Sequence, residues 1–124
     1  MVAVTVLIVD DHRTFRETAR LLLESEGFHV VGEAETGESA VAQATSLAPE
    51  LVLLDVQLPD IDGFQVARRV TGSPPAPAVI MVSSRDDSDY GPLVAASGAR
   101  GFVTKAELSG DRLRAILGSD GGDP

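Results

Sequence analysis

Leu51-Val52-Leu53-Leu54-Asp55 is the stretch that decides the fold, because four apolar residues run directly into one carboxylate. Turn-forming residues follow up to Gly63, and an apolar run bounded in this way is typical of a strand buried on both faces. A charge at the end of such a strand is costly unless it faces a cleft that holds water or a cation. Asp55 is therefore predicted to lie at the carboxyl edge of a parallel sheet, where open α/β sheets hold their ligands.

The composition indicates one acidic globular domain of 124 residues, 44% of them hydrophobic, with a formal net charge of −9. This charge argues against direct nucleic-acid binding, which requires basic residues, and favours cations or a basic partner surface. The absence of cysteine excludes disulfides and thiolate chemistry. No apolar run approaches the roughly 20 residues of a membrane span, and no secretory signal follows Met1. We expect a cytoplasmic protein without a membrane partner.

Apolar runs and turn residues divide the chain into alternating strands and helices. Strands are predicted over residues 2–9, 28–34, 51–55, 78–83 and 101–104. The helices between and after them are bounded by N-caps at Thr36 and Ser109 and by ends at Gly27, Pro49 and Gly98. Five strands alternating with five helices predict an α/β fold, in which a doubly wound parallel sheet lies between two layers of helices.

The fourth helix is interrupted by Gly91-Pro92, and a proline inside a helix costs about 3 kcal/mol. The helix either begins with Pro92 at its first position or has a distorted first turn over residues 87–90. It is predicted to be short or mobile.

Polar residues close four of the five predicted strands, and all strands of a parallel sheet end at the same edge. We therefore expect one cleft to contain Asp10, Asp11, Asp55, Ser83 and Lys105. Taken singly, the aspartate pair could equally cap the first helix, and a serine or lysine there would be ordinary. The combination carries the prediction.

The chemistry that suits this set is phosphoryl transfer. Three carboxylates in one cleft repel each other unless a cation lies between them, and an oxygen-rich site with few protein ligands suits Mg²⁺. Lys105 adds an ammonium group and Ser83 a hydroxyl, while Asp55 is a candidate nucleophile that would form an aspartyl phosphate.

With these residues in this order, the chain resembles the receiver domain of response regulators over residues 4–117. The resemblance rests on Val9-Asp10-Asp11, on Asp55 with its loop up to Gly63, and on Ser83 and Lys105 after strands four and five. It implies a flavodoxin-like sheet with strand order 2-1-3-4-5. The receiver domain would cover residues 1–118, followed by a flexible tail over residues 119–124.

The resemblance also implies roles for the site residues. Asp55 would accept a phosphoryl group from a histidine kinase or a phosphotransfer protein. Asp11 and Asp55 would ligate Mg²⁺ directly, the Gln57 backbone carbonyl would join them, and Asp10 would act through metal-bound water. Lys105 would pair with the phosphoryl oxygens.

A switch and two partner surfaces follow from the same resemblance. Ser83 would move towards the phosphoryl group and Phe102 would swing inward. The face made by helix four, strand five and helix five would then change, to control an output or to form a homodimer. Helix one would dock the kinase through Arg13, Arg16 and Leu21, although its arginines are most simply a solvated face.

The chain departs from the commonest receiver pattern at three places: Ala106 stands where many receivers have proline, Phe102 where many have tyrosine, and Gly91-Pro92 interrupts helix four. The loop after strand five is therefore expected to differ in shape. Gln57 and Arg85 occupy the two positions that tune hydrolysis in the family, and Arg85 is predicted to slow it.

Two alternatives from other classes stay open. A haloacid-dehalogenase-like phosphatase also uses an aspartate and Mg²⁺, but it places an Asp-x-Asp pattern after strand one, which Asp10-Asp11-His12 does not fit. A receiver-like module that is not phosphorylated would explain the fold, although every expected type of site residue is present. A nucleotide-binding domain is disfavoured, since no glycine-rich phosphate loop follows strand one.

Overall fold

The protein is described by a computed structural model over residues 3–72, 74–84 and 90–118. Its elements are β1 (Thr5–Val9), α1 (Arg13–Ser25), β2 (His29–Ala34), α2 (Gly37–Leu47), β3 (Leu51–Asp55), α3 (Gly63–Thr71), β4 (Ala78–Ser83), α4 (Tyr90–Ala96), β5 (Gly101–Thr104), a 3₁₀ turn (Lys105–Glu107) and α5 (Gly110–Gly118). The last three strands have the predicted bounds, whereas β1 and β2 begin later than predicted. The predicted tail over residues 119–124 lies outside the described residues.

The five strands form one parallel sheet in the order β2-β1-β3-β4-β5, as predicted. All five residues of the central strand β3 are buried. Asp55 pairs in register with Val82, and Ser83 pairs with Thr104. This register brings the ends of β3, β4 and β5 level, so that the residues that follow them share one edge.

The core has two halves, one on each face of the sheet. Leu7 and Leu54 belong to the half under α2 and α3, and Ile8 and Leu53 belong to the half under α1 and α5. Side chains that alternate between the faces, each buried, explain why β3 is continuously apolar.

The predicted helix boundaries agree with the structure where side chains fix them. Thr36 Oγ1 accepts from the Ser39 amide, and Ser109 Oγ accepts from the Arg112 amide, both at 3.1 Å. Gly27 and Gly98 end their helices with φ angles of 95° and 87°, which L side chains adopt only with strain.

The helix α4 is described over the seven residues Tyr90–Ala96. Tyr90 and Gly91 precede Pro92 within it, so Pro92 is not its first residue, and its predicted shortness remains a prediction. A proline is tolerated in the first turn of a helix, because the amides of that turn have no partner within the helix. Residues 85–89 lie outside the described part of the chain, and the predicted mobility of this helix remains a prediction.

None of the helices in the described ranges is long and apolar enough to cross a membrane.

Candidate functional site

A cavity of about 150 Å³ opens at the carboxyl edge of the sheet, where the sequence predicted one. It is lined by Asp11, His12, Asp55, Gln57, Leu58, Pro59, Ser83, Ser84 and Lys105. Residues that are up to 94 positions apart along the chain therefore meet in one place. The structure thus contains the predicted convergence of polar side chains at the sheet edge.

Asp55 ends β3 and is only 6% exposed. Its Oδ1 accepts from the Gln57 amide at 3.3 Å, and its Oδ2 lies 3.7 Å from Lys105 Nζ. Burial raises the pKa of Asp55, and the charge of Asp10 raises it further, to about 6, against the lowering effect of Lys105. The surroundings of Asp55 thus favour its protonated form more than water would.

The loop after β3 folds back tightly on the strand that carries Asp55. The Gly63 amide donates to the Val56 carbonyl at 2.7 Å, and a Cβ atom at position 63 would collide with the Asp55 carbonyl oxygen. Only glycine fits this close approach, which holds Gln57 at the mouth of the cavity.

Asp10 is completely buried just beyond β1. Its Oδ1 accepts from the His12 amide at 2.8 Å, and its Oδ2 forms an ion pair with Lys105 Nζ at 2.6 Å. Apart from this ion pair, Oδ2 has no hydrogen-bond partner among the residues that the structure describes. Lys105 thus lies between the two buried carboxylates and partly neutralises both.

Lys105 follows β5, and its side chain is 18% exposed. Its ammonium group also lies 4.4 Å from the centre of the Phe15 ring, a favourable contact between a cation and an aromatic face. Since Phe15 belongs to α1, the lysine is held by groups from β1, β3 and α1 at once.

The ligand atoms of Asp10, Asp11, Asp55 and His12 lie within 4.8 Å of one another. Carboxylate oxygens are the donors that Mg²⁺ prefers, and a cation would give the buried Asp10 Oδ2 a second partner beside Lys105. The residues present therefore fit a divalent cation of this kind.

Sequence reasoning assigns no role to His12, which follows the aspartate pair directly. Its Nδ1 lies 3.1 Å from Asp10 Oδ1 and from Asp11 Oδ1, although its side chain is 69% exposed. The position immediately after two acidic residues at a strand end was the signal that could have identified it.

The two predicted switch residues lie near the cavity at different depths. Ser83 ends β4, is 5% exposed and lines the cavity. Phe102 is half-buried on β5, and its ring packs edge to face on Tyr90 at 5.7 Å, which in turn packs on Phe64 at 5.9 Å. These rings connect β5 with α4 and α3. Arg85, predicted to slow hydrolysis, lies outside the described residues.

The prediction for Arg16 is wrong in one respect. Its side chain is 10% exposed and does not belong to a solvated face or a docking surface. Its Nη1 donates to the Asp10 carbonyl at 2.7 Å and its Nε to Glu33 Oε1 at 3.1 Å. Arg13 and Leu21, by contrast, are 82% and 72% exposed and remain available for a partner.

A larger cavity of about 440 Å³ lies between α2, α3 and the loop before β4. Its lining is mostly aliphatic, and its one charged group, Arg69, is paired with Glu38 at 3.0 Å. Since no set of reactive groups converges there, the smaller cavity at the sheet edge is the candidate site.

Comparison with known protein families gives a match over residues 6–117 to the response regulator receiver domain. Relatives include the response regulator GacA of Pseudomonas aeruginosa, 34% identical over 114 residues, which cover 91% of this chain and 53% of that protein. BvgA of Bordetella pertussis, whose name describes a transcription regulator, is 37% identical over 102 residues, or 82% of this chain and 49% of that protein. The chain spans about half the length of the curated relatives it matches.

Among solved structures, the signal receiver domain of the response regulator NarL from Mycobacterium tuberculosis is similar, with a TM-score of 0.85 and 32% identity. The match covers 99% of this chain and all of that one. A LuxR-family response regulator from Aurantimonas has a TM-score of 0.86 and 29% identity, over 94% of this chain and 86% of that chain.

Proposed function

This chain belongs to the response regulator receiver domain family, and we propose that it accepts a phosphoryl group on Asp55 from a histidine kinase or a phosphotransfer protein. The observation that carries the proposal is the convergence of Asp55, Asp10 and Lys105, with the ammonium 3.7 Å and 2.6 Å from the two carboxylates. As a signalling domain, it would catalyse only its own phosphorylation and dephosphorylation. A cytoplasmic location accords with this role.

In the proposed step, an Asp55 oxygen forms a bond to phosphorus while the phosphorus–nitrogen bond of a phosphohistidine breaks. The bonding pair stays on the imidazole nitrogen, and the product is an acyl phosphate on Asp55. The step needs no oxidant or reductant. Hydrolysis by water later returns the carboxylate and inorganic phosphate.

The predicted site residues have distinct functions in this step. Asp11, Asp55 and the Gln57 carbonyl would hold Mg²⁺, with Asp10 acting through metal-bound water, and the ion would neutralise charge on the phosphoryl oxygens. Lys105, already placed by two carboxylates, would turn to the new phosphoryl oxygens. The buried Ser83 hydroxyl at the cavity wall would donate to the same group.

The output surface is proposed to be the face of α4, β5 and α5. Phe102 contacts Tyr90, the first described residue of α4, so a movement of the Phe102 ring would reach that helix. A homodimer through this face is one form the output could take. Because relatives such as BvgA carry the name of transcription regulators, a DNA-binding output elsewhere in the full protein is another.

The kinase is proposed to dock on the exposed side of α1 near Arg13 and Leu21. Arg16 is not part of this surface because it is buried.

Neither alternative function gains support. The family match and the receiver-like structural neighbours do not favour a haloacid-dehalogenase-like phosphatase. An unphosphorylated module would not need a lysine held between two buried carboxylates, an arrangement that is costly without a function.

Intact mass spectrometry with acetyl phosphate and Mg²⁺ tests the proposal. The wild-type chain is expected to gain one phosphoryl group, and Asp55→Asn is expected to gain none. Asp62→Asn is the matched control, because Asp62 lies on the same loop but caps α3, where its carboxylate accepts from the Gln65 amide. Asparagine caps helices equally well.

The proposal fails if the wild-type chain gains no phosphoryl group, or if Asp55→Asn gains as much as the wild type. Loss of the phosphoryl group in Asp62→Asn alone would place the acceptor elsewhere and would also contradict it.

A further inference from the structure

Arg16 is the most buried arginine of α1, and the proposed function gives it no task. Its side chain is 10% exposed, whereas those of Arg13 and Arg20 on the same helix are 82% and 37% exposed. Burial of a guanidinium is costly unless its donors are used. They are used on Glu33 and on the carbonyl of Asp10.

The Asp10 carbonyl lies where the β1 ladder ends. The Asp10 amide still donates to the Ala34 carbonyl of β2 at 3.0 Å, but the chain then leaves the sheet towards α1. Arg16 Nη1 approaches the buried Asp10 carbonyl to 2.7 Å and supplies the hydrogen bond there. A buried carbonyl left without a donor would cost stability and would be free to turn.

That carbonyl belongs to the peptide group that joins Asp10 to Asp11. A peptide group is planar, so fixing its oxygen fixes the direction in which both residues leave it. These two residues supply carboxylates to the site, and their oxygens lie within 4.8 Å of Asp55. The orientation of the acidic pair thus depends on a bond from α1.

Glu33 on β2 anchors the other end of the guanidinium. Burial alone would raise the pKa of Glu33, but hydrogen bonds from Arg20 and Arg16 outweigh it and lower the pKa, so Glu33 stays charged. Arg20 Nε donates to Glu33 Oε2 at 2.7 Å but does not contact Asp10 in the structure. The two arginines share one anchor, and Arg16 alone extends from it to the site.

We infer that Arg16 is a positioning residue for the cation site, which holds the Asp10–Asp11 peptide so that both carboxylates face Asp55. The inference rests on the proposed function, since it concerns the site where Mg²⁺ would bind. Partners that orient metal ligands typically contribute about 10- to 100-fold to metal affinity.

The test compares Arg16→Gln with Arg20→Gln in the full 124-residue chain. Both variants lose an ion pair with Glu33, but only the first loses the bond to Asp10. Mg²⁺ affinity is measured by following backbone amide NMR shifts during titration with MgCl₂, and the melting temperature of each variant is recorded. We expect Arg16→Gln to bind Mg²⁺ about tenfold more weakly and Arg20→Gln to stay within about twofold of wild type.

The conservative variant adds a second comparison. A lysine ammonium can donate to the carbonyl or to Glu33 but lacks the fork that serves both, so Arg16→Lys should fall between wild type and Arg16→Gln. If Arg16→Gln does not fold, the Mg²⁺ affinities of Arg16→Lys and Arg20→Lys are compared instead, and a loss confined to the Arg16 variant supports the inference. The Asp11 amide shift of the metal-free protein should move in the Arg16 variants only.

Equal losses of affinity in the Arg16 and Arg20 variants would overturn the inference, because the effect would then pass through Glu33 or general stability. Unchanged affinity in the Arg16 variants would overturn it as well. A wild-type chain that binds no Mg²⁺ would contradict the proposed function itself, and the inference with it, so the two failures are told apart by the wild-type titration.

Discussion

Asp55 occupies a position where an ionised carboxylate is expensive. It is almost completely buried, its nearest acidic neighbour is also buried, and one lysine serves both. A folded protein that keeps such an arrangement gives up stability in its resting state. Cations and phosphoryl groups are the ligands that relieve this cost, which connects the energetics of a single residue with the proposed function.

The first prediction concerns the stability of Asp55→Asn without metal. Because the folded pKa of Asp55 is about 6 and its ordinary value is 3.8, the folded state binds more protons than the unfolded state between these values. The contribution of Asp55 to the free energy of unfolding of the wild type therefore decreases as pH rises through that window. Asparagine does not titrate, so the variant should exceed wild type by about 1–3 kcal/mol at pH 7.5, and the advantage should vanish towards pH 4.

Urea unfolding in the presence of a chelator, at pH 4, 5, 6 and 7.5, measures this difference. Asp62→Asn serves as the control, because its carboxylate is exposed and caps α3. A stability difference that does not change with pH, or one in which Asp55→Asn is the weaker protein at pH 7.5, would contradict the prediction.

At the scale of the elements, α4 is the helix that its own sequence specifies least well. Gly91 and Pro92 both lie among its seven described residues. The proline has no amide to donate, and the glycine loses more backbone freedom on folding than any other residue. A marginal helix next to Phe102, the proposed switch residue, would suit a change of conformation on the proposed phosphorylation.

The second prediction contrasts two glycines of this segment. Apart from its chain neighbours, a Cβ atom at Gly91 would have no described residue within 4 Å. The lower backbone entropy of alanine in the unfolded chain is opposed by crowding of its Cβ against the Pro92 ring, so Gly91→Ala should change stability by less than about 1 kcal/mol. At Gly98 the φ angle is +87°, and a Cβ atom would lie 2.6 Å from Thr71 Oγ1. Gly98→Ala should therefore destabilise by more than about 1 kcal/mol.

Thermal or urea unfolding of both variants checks the pair. The opposite order, or a loss of more than about 1 kcal/mol in Gly91→Ala, would contradict the prediction.

Elements with strong local signals were predictable from sequence, and long-range polar contacts were not. The run that ends in Asp55 specified β3 to the residue, and the caps at Thr36 and Ser109 marked two helices. Arg16 carried no such signal. An arginine on an amphipathic helix is normally predicted to face solvent, and Glu33 comes to lie beside Arg16 only in the folded chain. The sequence identified which groups share the sheet edge, because topology fixes that, but not which of them are paired there.

For the molecule as a whole, the formal net charge of −9 and the acidic pocket both destabilise the folded state, because negative groups are held close together. Negative groups repel one another throughout the fold, and most strongly where Asp10 and Asp55 are buried side by side. A divalent cation bound at the sheet edge should therefore stabilise the entire domain, since it binds the folded state and finds no preformed site in the unfolded chain.

The third prediction is the size and specificity of that stabilisation. At a free Mg²⁺ concentration ten times the dissociation constant, stability should increase by about 1.4 kcal/mol, which corresponds to about 4–6 °C in melting temperature. NaCl at matched ionic strength separates this effect from screening of the net charge, and Asp11→Asn tests the site, because its exposed carboxylate can be removed without opening the core. Added chelator should reverse the shift. Were NaCl to raise the melting temperature as much as MgCl₂, or Asp11→Asn to respond like wild type, the stabilisation would belong to the general charge of the molecule and not to the pocket that contains Asp55.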